Sequence, residues 1–280
     1  MIDRLRTSFL HSERLQKHIR FLYSKGEMYT IFNSNLMYHG CIPVDENGEL
    51  LALHTAGGAL SGKALLDYAD QMMRQGYFLP EGHPDKQKAL DFMWYLWCGS
   101  VSPLFGKDKM ATFERYFLED KKLQSEKKNA YYEMLDDERL VDRILSEFGL
   151  NPENSHVING HVPVACKNGE NPIKADGKLF VIDGGLSKAY QSKTGIAGYT
   201  LIFNSYGMLI TSHQPFCTRV QAIEQEQDIH STTVVVEKTM NRIKVADTDI
   251  GLELKEQIAE LQQLLEAYRS GSLAEDTKTI

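Results

Sequence analysis

The spacing of hydrophobic positions changes several times along the chain, and each change predicts a different kind of element. Leu15, Ile19 and Leu22 recur at helical spacing and Gly26 stops the run, so a helix is followed by a strand at Met28-Tyr29-Thr30-Ile31-Phe32. A short second strand ends near His39. The turn Asp45-Glu46-Asn47-Gly48 then joins Cys41-Ile42-Pro43-Val44 to Leu50-Leu51-Ala52-Leu53 as a hairpin. From Gly62 to about Leu145 helical spacing returns: Leu65, Leu66, Tyr68 and Met72, then Ala89 to Trp97, Met110 to Phe117 and Leu135 to Leu145. Past Pro152 come short runs rich in Val, Ile, Phe and Tyr at 156–158, 179–182, 199–203, 208–210 and 232–236, which predict strands. Leu254, Ile258, Leu261 and Leu265 form one stripe of a closing helix, before a polar tail from Ser270 that is expected to fray. The pattern is α+β, with a helical insert at about 62–148 and a C-terminal helix at about 251–268. No internal repeat is visible.

Composition narrows the classes. The chain has 280 residues, 42% hydrophobic and 25% charged, with a net charge of -7. It is long enough to bury a core. An excess of acid over base argues against a binder of nucleic acid that works by neutralising phosphates. No apolar run approaches the roughly 20 residues that cross a bilayer, and the first residues lack a signal-peptide pattern, so no membrane partner and a cytoplasmic location are expected. Cys41, Cys98, Cys166 and Cys217 are too scattered for a zinc or redox motif and are expected to be reduced and mostly buried. The charge runs Glu119-Asp120-Lys121-Lys122 and Glu126-Lys127-Lys128 read as solvated connectors.

Four segments carry possible chemistry. Gly57-Gly58-Ala59-Leu60-Ser61-Gly62-Lys63-Ala64 has phosphate-loop spacing up to its last position, where Ala64 lacks the hydroxyl that would bind magnesium. A tight turn feeding a helix is the better reading; Leu179-Phe180-Val181-Ile182-Asp183 could imitate the acidic strand such a site pairs with, but Gly184-Gly185 follows it and the order of elements between the two segments is unlike an alternating parallel sheet. His39, in Tyr38-His39-Gly40, and His161, in Asn159-Gly160-His161-Val162-Pro163, each follow an apolar strand beside a glycine, a placement that suits metal ligands. Asp45 and Asp183 lie in no ligand pattern, and Asp228-Ile229-His230 lacks the glycine that would open such a turn. The glycine-rich stretch Asp183-Gly184-Gly185 with Lys188 and Tyr190 could hold an anion, as could Lys107 and Lys109 in Ser102-Pro103-Leu104-Phe105-Gly106-Lys107-Asp108-Lys109.

Together these segments resemble the C-terminal portion of the class III, Firmicute-type fructose-1,6-bisphosphatases. The resemblance rests on Arg20-Phe21-Leu22-Tyr23-Ser24-Lys25-Gly26, Tyr38-His39-Gly40-Cys41-Ile42-Pro43, Trp94-Tyr95-Leu96-Trp97-Cys98-Gly99, the 102–110 segment, Asn159-Gly160-His161-Val162-Pro163-Val164, Val181-Ile182-Asp183-Gly184-Gly185 and Thr194-Gly195-Ile196-Ala197-Gly198-Tyr199-Thr200-Leu201. It covers nearly the whole chain and implies an incomplete metallophosphoesterase-like β-sandwich with flanking helices, the C-terminal part of one phosphatase domain. The implied activity is hydrolysis of fructose 1,6-bisphosphate to fructose 6-phosphate and phosphate, a step of gluconeogenesis. The implied cofactor is a pair of Mn2+ ions, with His39 and His161 as two of the ligands, which would polarise the phosphate and activate a bridging water. The substrate-binding candidates are then Asp183, Lys188, Tyr190, Lys107 and Lys109. The family's Asp-x-His, Gly-Asp-x-x-Asp-Arg and Gly-Asn-His-Glu motifs have no counterpart here. The resemblance therefore implies a truncated form, one product of a split gene, or a chain begun at an internal Met, with the catalytic acid and most ligands in an N-terminal half carried by another chain. Open sheet edges would invite that half or a homo-oligomer. The rival reading is a non-catalytic fragment or subunit that binds a sugar phosphate or a partner chain.

Overall fold

The computed structural model describes residues 1–184, 187–215, 218–224, 226 and 231–273. Gly185, Leu186, Cys217, Asp228-Ile229-His230 and the tail beyond 273 lie outside the described residues, as does the side chain of Lys188. The chain divides into two compact units, Met1–Ile196 and Ala197–Ile280.

The first unit begins with helices α1 (Ile2–Leu10) and α2 (Glu13–Lys25). Ser12 caps α2 by accepting the N–H of Leu15 at 3.4 Å. Strands β1 (Thr30–Phe32) and β2 (Asn35–Met37) form an antiparallel hairpin turned by Asn33 and Ser34, both with left-handed φ. Strands β3 (Leu53–Thr55) and β4 (Gly58–Leu60) form a separate hairpin. Helices α3 (Gly62–Phe78), α4 (Pro84–Cys98), α5 (Thr112–Phe117) and α6 (Glu138–Glu147) follow, filling the stretch in which helical spacing predicts them. Strands β5 (His156–Asn159), β6 (Ile173–Lys174) and β7 (Leu179–Val181) and helix α7 (Lys188–Thr194) complete the unit.

One five-stranded sheet, in the order β1-β2-β5-β7-β6, organises this unit. Its middle is parallel: β2 pairs with β5 and β5 with β7. The strand that precedes the phosphate-loop-like glycines lies in the separate β3–β4 hairpin and not beside β7, in keeping with the order of elements between them; the parallel middle arises because the long block between β2 and β5 is the crossover that lets them run side by side. Leu36, Val157, Leu179 and Phe180 are fully buried on these strands, and α6 buries Leu140, Val141, Ile144 and Leu145. Gly76 lets α3 meet α4 closely, since a Cβ there would lie 2.6 Å from the Met93 sulfur. Arg74 on α3 donates to the carbonyl oxygens of Tyr23 and Gly26, which ties the end of α2 to α3.

The second unit is a three-stranded antiparallel meander, β8 (Gly198–Asn204), β9 (Gly207–His213) and β10 (Ser231–Lys238), with a short helix α8 (Arg219–Glu224) and the long helix α9 (Asp249–Arg269).

Two local expectations are revised. The Asp45–Gly48 turn forms, with Asp45 Oδ1 accepting the N–H groups of Asn47 and Glu49, yet the hairpin predicted across it is reduced to one bridge, Val44 to Leu50. Leu53 instead pairs with Leu60 in the β3–β4 ladder. Among the described cysteines only Cys41 is buried, while Cys98 and Cys166 are half-buried.

Candidate functional site

The carboxyl ends of β2, β5 and β7 lie side by side, and the residues that follow them converge: His39 after β2, His161 after β5 and Asp183 after β7. Strand ends of this kind present side chains on rigid supports. The His39 and His161 rings meet edge to face with centroids 5.3 Å apart. His161 holds a left-handed φ of 70°, which is unusual for a side-chain-bearing residue and turns the chain sharply at this point.

Several contacts fix this geometry. Gly40 has no room for a side chain, since a Cβ would lie 2.0 Å from the Pro103 carbonyl oxygen, which also accepts the Cys41 N–H at 2.8 Å. Asn159, buried at the end of β5, donates from Nδ2 to the carbonyl oxygens of His39 and Gly40 at 3.3 and 2.6 Å. The Gly160 N–H adds a bond to the His39 carbonyl at 3.2 Å. The loop that carries Lys107 is pinned by the buried Ser102 hydroxyl, which donates to the Leu96 carbonyl and accepts the N–H groups of Leu104 and Phe105. Behind His39 the Tyr38 and Tyr131 hydroxyls bond at 2.8 Å, and burial raises both phenol pKa values. Burial likewise pushes the Cys41 thiol up to about 12.

The Tyr132 ring stacks on His161 with centroids 6.2 Å apart, and the Lys128 ammonium lies 6.0 Å from the Tyr132 ring centre. The pKa of His161 is lowered, first by burial and then by the nearby His39; Asp183 opposes the shift, and the positive Lys107 and Lys128 reinforce it. A neutral imidazole with a free lone pair results at neutral pH, which is the form that binds transition metals. Among the described residues, however, no group of three or more His, Cys, Asp or Glu side chains could hold an ion. The donor set is therefore of the right type and incomplete, and a pair of metal ions would need ligands from outside it.

Of the expected anion-binding residues, Lys107 joins His161 in lining a cleft of about 460 Å3, and it pairs with Glu126 at 2.7 Å. Lys109 instead donates to the Leu123 carbonyl at 3.0 Å. Tyr190 is half-exposed on α7 beneath Lys193, and among the described residues it makes no ring contact with the histidine pair. The 126–128 run is not a solvated connector throughout. Glu126 is nine-tenths buried, holding Lys107 and Arg115 and accepting the Ala111 N–H, and Lys128 faces Tyr132. Lys128 is thus a positive group near His161 that local sequence did not mark. The phosphate-loop-like segment is a hairpin and helix start whose first free N–H, on Lys63, is taken by the Glu147 carboxylate at 3.3 Å, while the Lys63 ammonium pairs with Asp67.

A mixed α+β unit whose parallel strand ends bring two imidazoles together is the class of protein that fold and site define. The family described as Firmicute fructose-1,6-bisphosphatase matches residues 1–270, and the chain belongs to that family. It is 56% identical over 280 residues to a Clostridium novyi (strain NT) protein named fructose-1,6-bisphosphatase class 3, a match that covers all of this chain and 42% of that protein. The Clostridium tetani and Clostridium botulinum (strain Hall) proteins of the same name are 56% and 54% identical, each covered over 42% of its length. The chain thus spans less than half the length of these relatives. No solved structure matches it. No helix among the described residues is long and apolar enough to cross a membrane.

Proposed function

We propose that the chain is the C-terminal portion of a cytoplasmic fructose-1,6-bisphosphatase, contributing to hydrolysis of fructose 1,6-bisphosphate in gluconeogenesis. In this reading the five-stranded sheet is part of a metallophosphoesterase-like sandwich completed by the rest of the polypeptide. The observation that carries the reading is the convergence of His39 and His161 at adjacent parallel strand ends in a chain of this family. The two histidines supply imidazole ligands to a manganese pair, Lys107 and Lys128 supply positive charge toward a phosphate, and the remaining ligands and the catalytic acid come from the other portion. No chemical step is assigned to this chain alone, because its donor set is incomplete. Asp183 bears on the site through its field on His161.

The test is phosphate release from fructose 1,6-bisphosphate with Mn2+, by this chain alone and mixed with the remaining portion of a class 3 relative. Release is expected only from the mixture and is lost with His161→Ala. His39→Ala and His161→Ala should each lower the manganese content of the assembly, and unchanged metal in both would remove them as ligands. The absence of a three-ligand group among the described residues favours one second reading, a non-catalytic subunit that binds the sugar phosphate. Calorimetric binding of fructose 1,6-bisphosphate by this chain without metal, with no turnover in the mixture, would select it.

A further inference from the structure

Helix α9 is 21 residues long, about 30 Å, and packs through its first turn against the short 3-10 turn Val245–Asp247. That contact is tight, since a Cβ on Gly251 would lie 1.8 Å from the Val245 carbonyl oxygen. Beyond Gly251 nearly every residue of the helix is exposed. Most of a helix's stability in a protein comes from packing of its apolar face, so these side chains call for a cover.

The pattern of those side chains specifies the cover. Leu254, Ile258, Leu261, Leu265 and Tyr268 are spaced 4, 3, 4 and 3 residues apart, the spacing of a coiled-coil seam, with Ile250 and Leu264 beside it. Ile258 and Leu265 take the a positions, and Leu254, Leu261 and Tyr268 the d positions. Ile258 at a, between Leu254 and Leu261 at d, favours two strands over three or four. All the acidic residues of α9, Asp249, Glu253, Glu256, Glu260 and Glu266, fall at b, c or f, away from the seam. The flanking e and g positions carry Ile250, Lys255, Gln257, Gln262, Leu264 and Arg269. In a parallel pair Gln257 faces Gln262 and Leu264 faces Arg269, with no like charges opposed. In an antiparallel pair Lys255 faces Arg269 of the second copy, a repulsion at both ends.

The geometry points to α9 as a self-association surface that binds a second copy of this chain as a parallel, in-register two-stranded coiled coil. The five seam side chains and Leu264 are each about half exposed, so a pair buries on the order of 1,000 Å2 in total, the lower end of what sustains a specific contact. An area of this size fits a reversible, concentration-dependent association, tested from about 1 to 100 μM.

Sedimentation equilibrium of the full chain should show the mass doubling as concentration rises through that range. Ile258→Lys should hold it monomeric at every concentration, with the melting curve that the unsubstituted chain shows at concentrations too low for it to associate. Leu254→Cys provides a check on direction: in a parallel pair the two introduced thiols are neighbours and oxidise to a covalent dimer that the unsubstituted chain does not give, whereas antiparallel copies hold them about 20 Å apart. A monomer at all concentrations overturns the proposal. Dimers untouched by Ile258→Lys, or untrapped by Leu254→Cys, overturn it as well.

Discussion

Replacing Asn159 by Asp changes one atom type and tests how the two histidine turns are held. In the native chain Nδ2 donates to the carbonyls of His39 and Gly40, while Oδ1 is buried without a donor among the described residues. Asn159→Ala removes both bonds. The His39 carbonyl keeps the Gly160 N–H, so one buried acceptor is left unmet at a cost of about 1–3 kcal/mol, offset in part by the loss of the orphaned Oδ1. Asn159→Asp places an oxygen without a proton against those carbonyls at 2.6 and 3.3 Å, and only the protonated acid can donate there. Its pKa in the folded state must therefore rise above the unfolded value near 3.9. A rise of about three units costs about 4 kcal/mol at pH 7. The folded state then binds more protons than the unfolded one, so the stability relative to the native chain is retained below about pH 4 and lost as pH climbs. Urea unfolding of the native chain, Asn159→Ala and Asn159→Asp at pH 4, 5.5 and 7 measures this directly. Asp should be the milder of the two changes at pH 4 and the more severe at pH 7. A difference that does not vary with pH, or an Asp milder than Ala at pH 7, would refute the assignment of Nδ2 as the clamp.

Three further outcomes follow from the same neighbourhood. Gly40→Ala should destabilise by about 3 kcal/mol in thermal or urea unfolding, because its Cβ meets the Pro103 backbone rather than a yielding side chain; a loss under 1 kcal/mol would mean the turn can move. Glu126→Gln should cost about 1–2 kcal/mol at pH 7. The Glu126 pKa is lowered, first by its bond to Lys107, so its contribution is present above the unfolded value near 4.3 and disappears as pH falls through the folded one; the two unfolding curves should converge in acid. Iodoacetamide at pH 8 should modify Cys98 and Cys166 well before Cys41, whose thiol is buried and titrates near 12, and peptide mass spectrometry reads the order.

Elements that follow from local periodicity are legible in the amino-acid sequence alone: α2 from Leu15, Ile19 and Leu22, α6 (Glu138–Glu147) overlapping the Leu135–Leu145 run, β5 and β7 from short apolar runs. The features that are not legible there are set at a distance. The apolar run Leu50–Leu53 suggests a strand, yet only Leu53 enters one, β3, whose partner is set by the Gly57-Gly58 turn that follows, where Gly58 takes a φ of +120°. His39 and His161 can be singled out because each ends an apolar strand beside a glycine, while the parallel pairing that sets them against each other spans the whole helical block. Glu126 and Lys128 sit in a charge run indistinguishable from solvated ones, and only the fold, by bringing Lys107, Arg115 and Tyr132 to them, makes them part of the site. Strands of two residues such as β6, and the short helix α7, carry too few positions to show a period.

The Asn159 clamp joins groups 119 and 120 positions apart in the chain. Such a loop closes slowly, because its entropy must be spent before any long-range bond repays it. On the ribosome, with elongation at about 5–20 residues per second, His39 emerges roughly 6–24 s before the strand that must flank it. During that interval the β1–β2 hairpin carries Leu36 on an open edge, while α3 and α4, neighbours in sequence, can already close on each other. Within this portion the chain therefore passes through a stage in which α3 and α4 can pack while β2 still lacks β5, and in that stage another molecule's edge competes with β5 for β2.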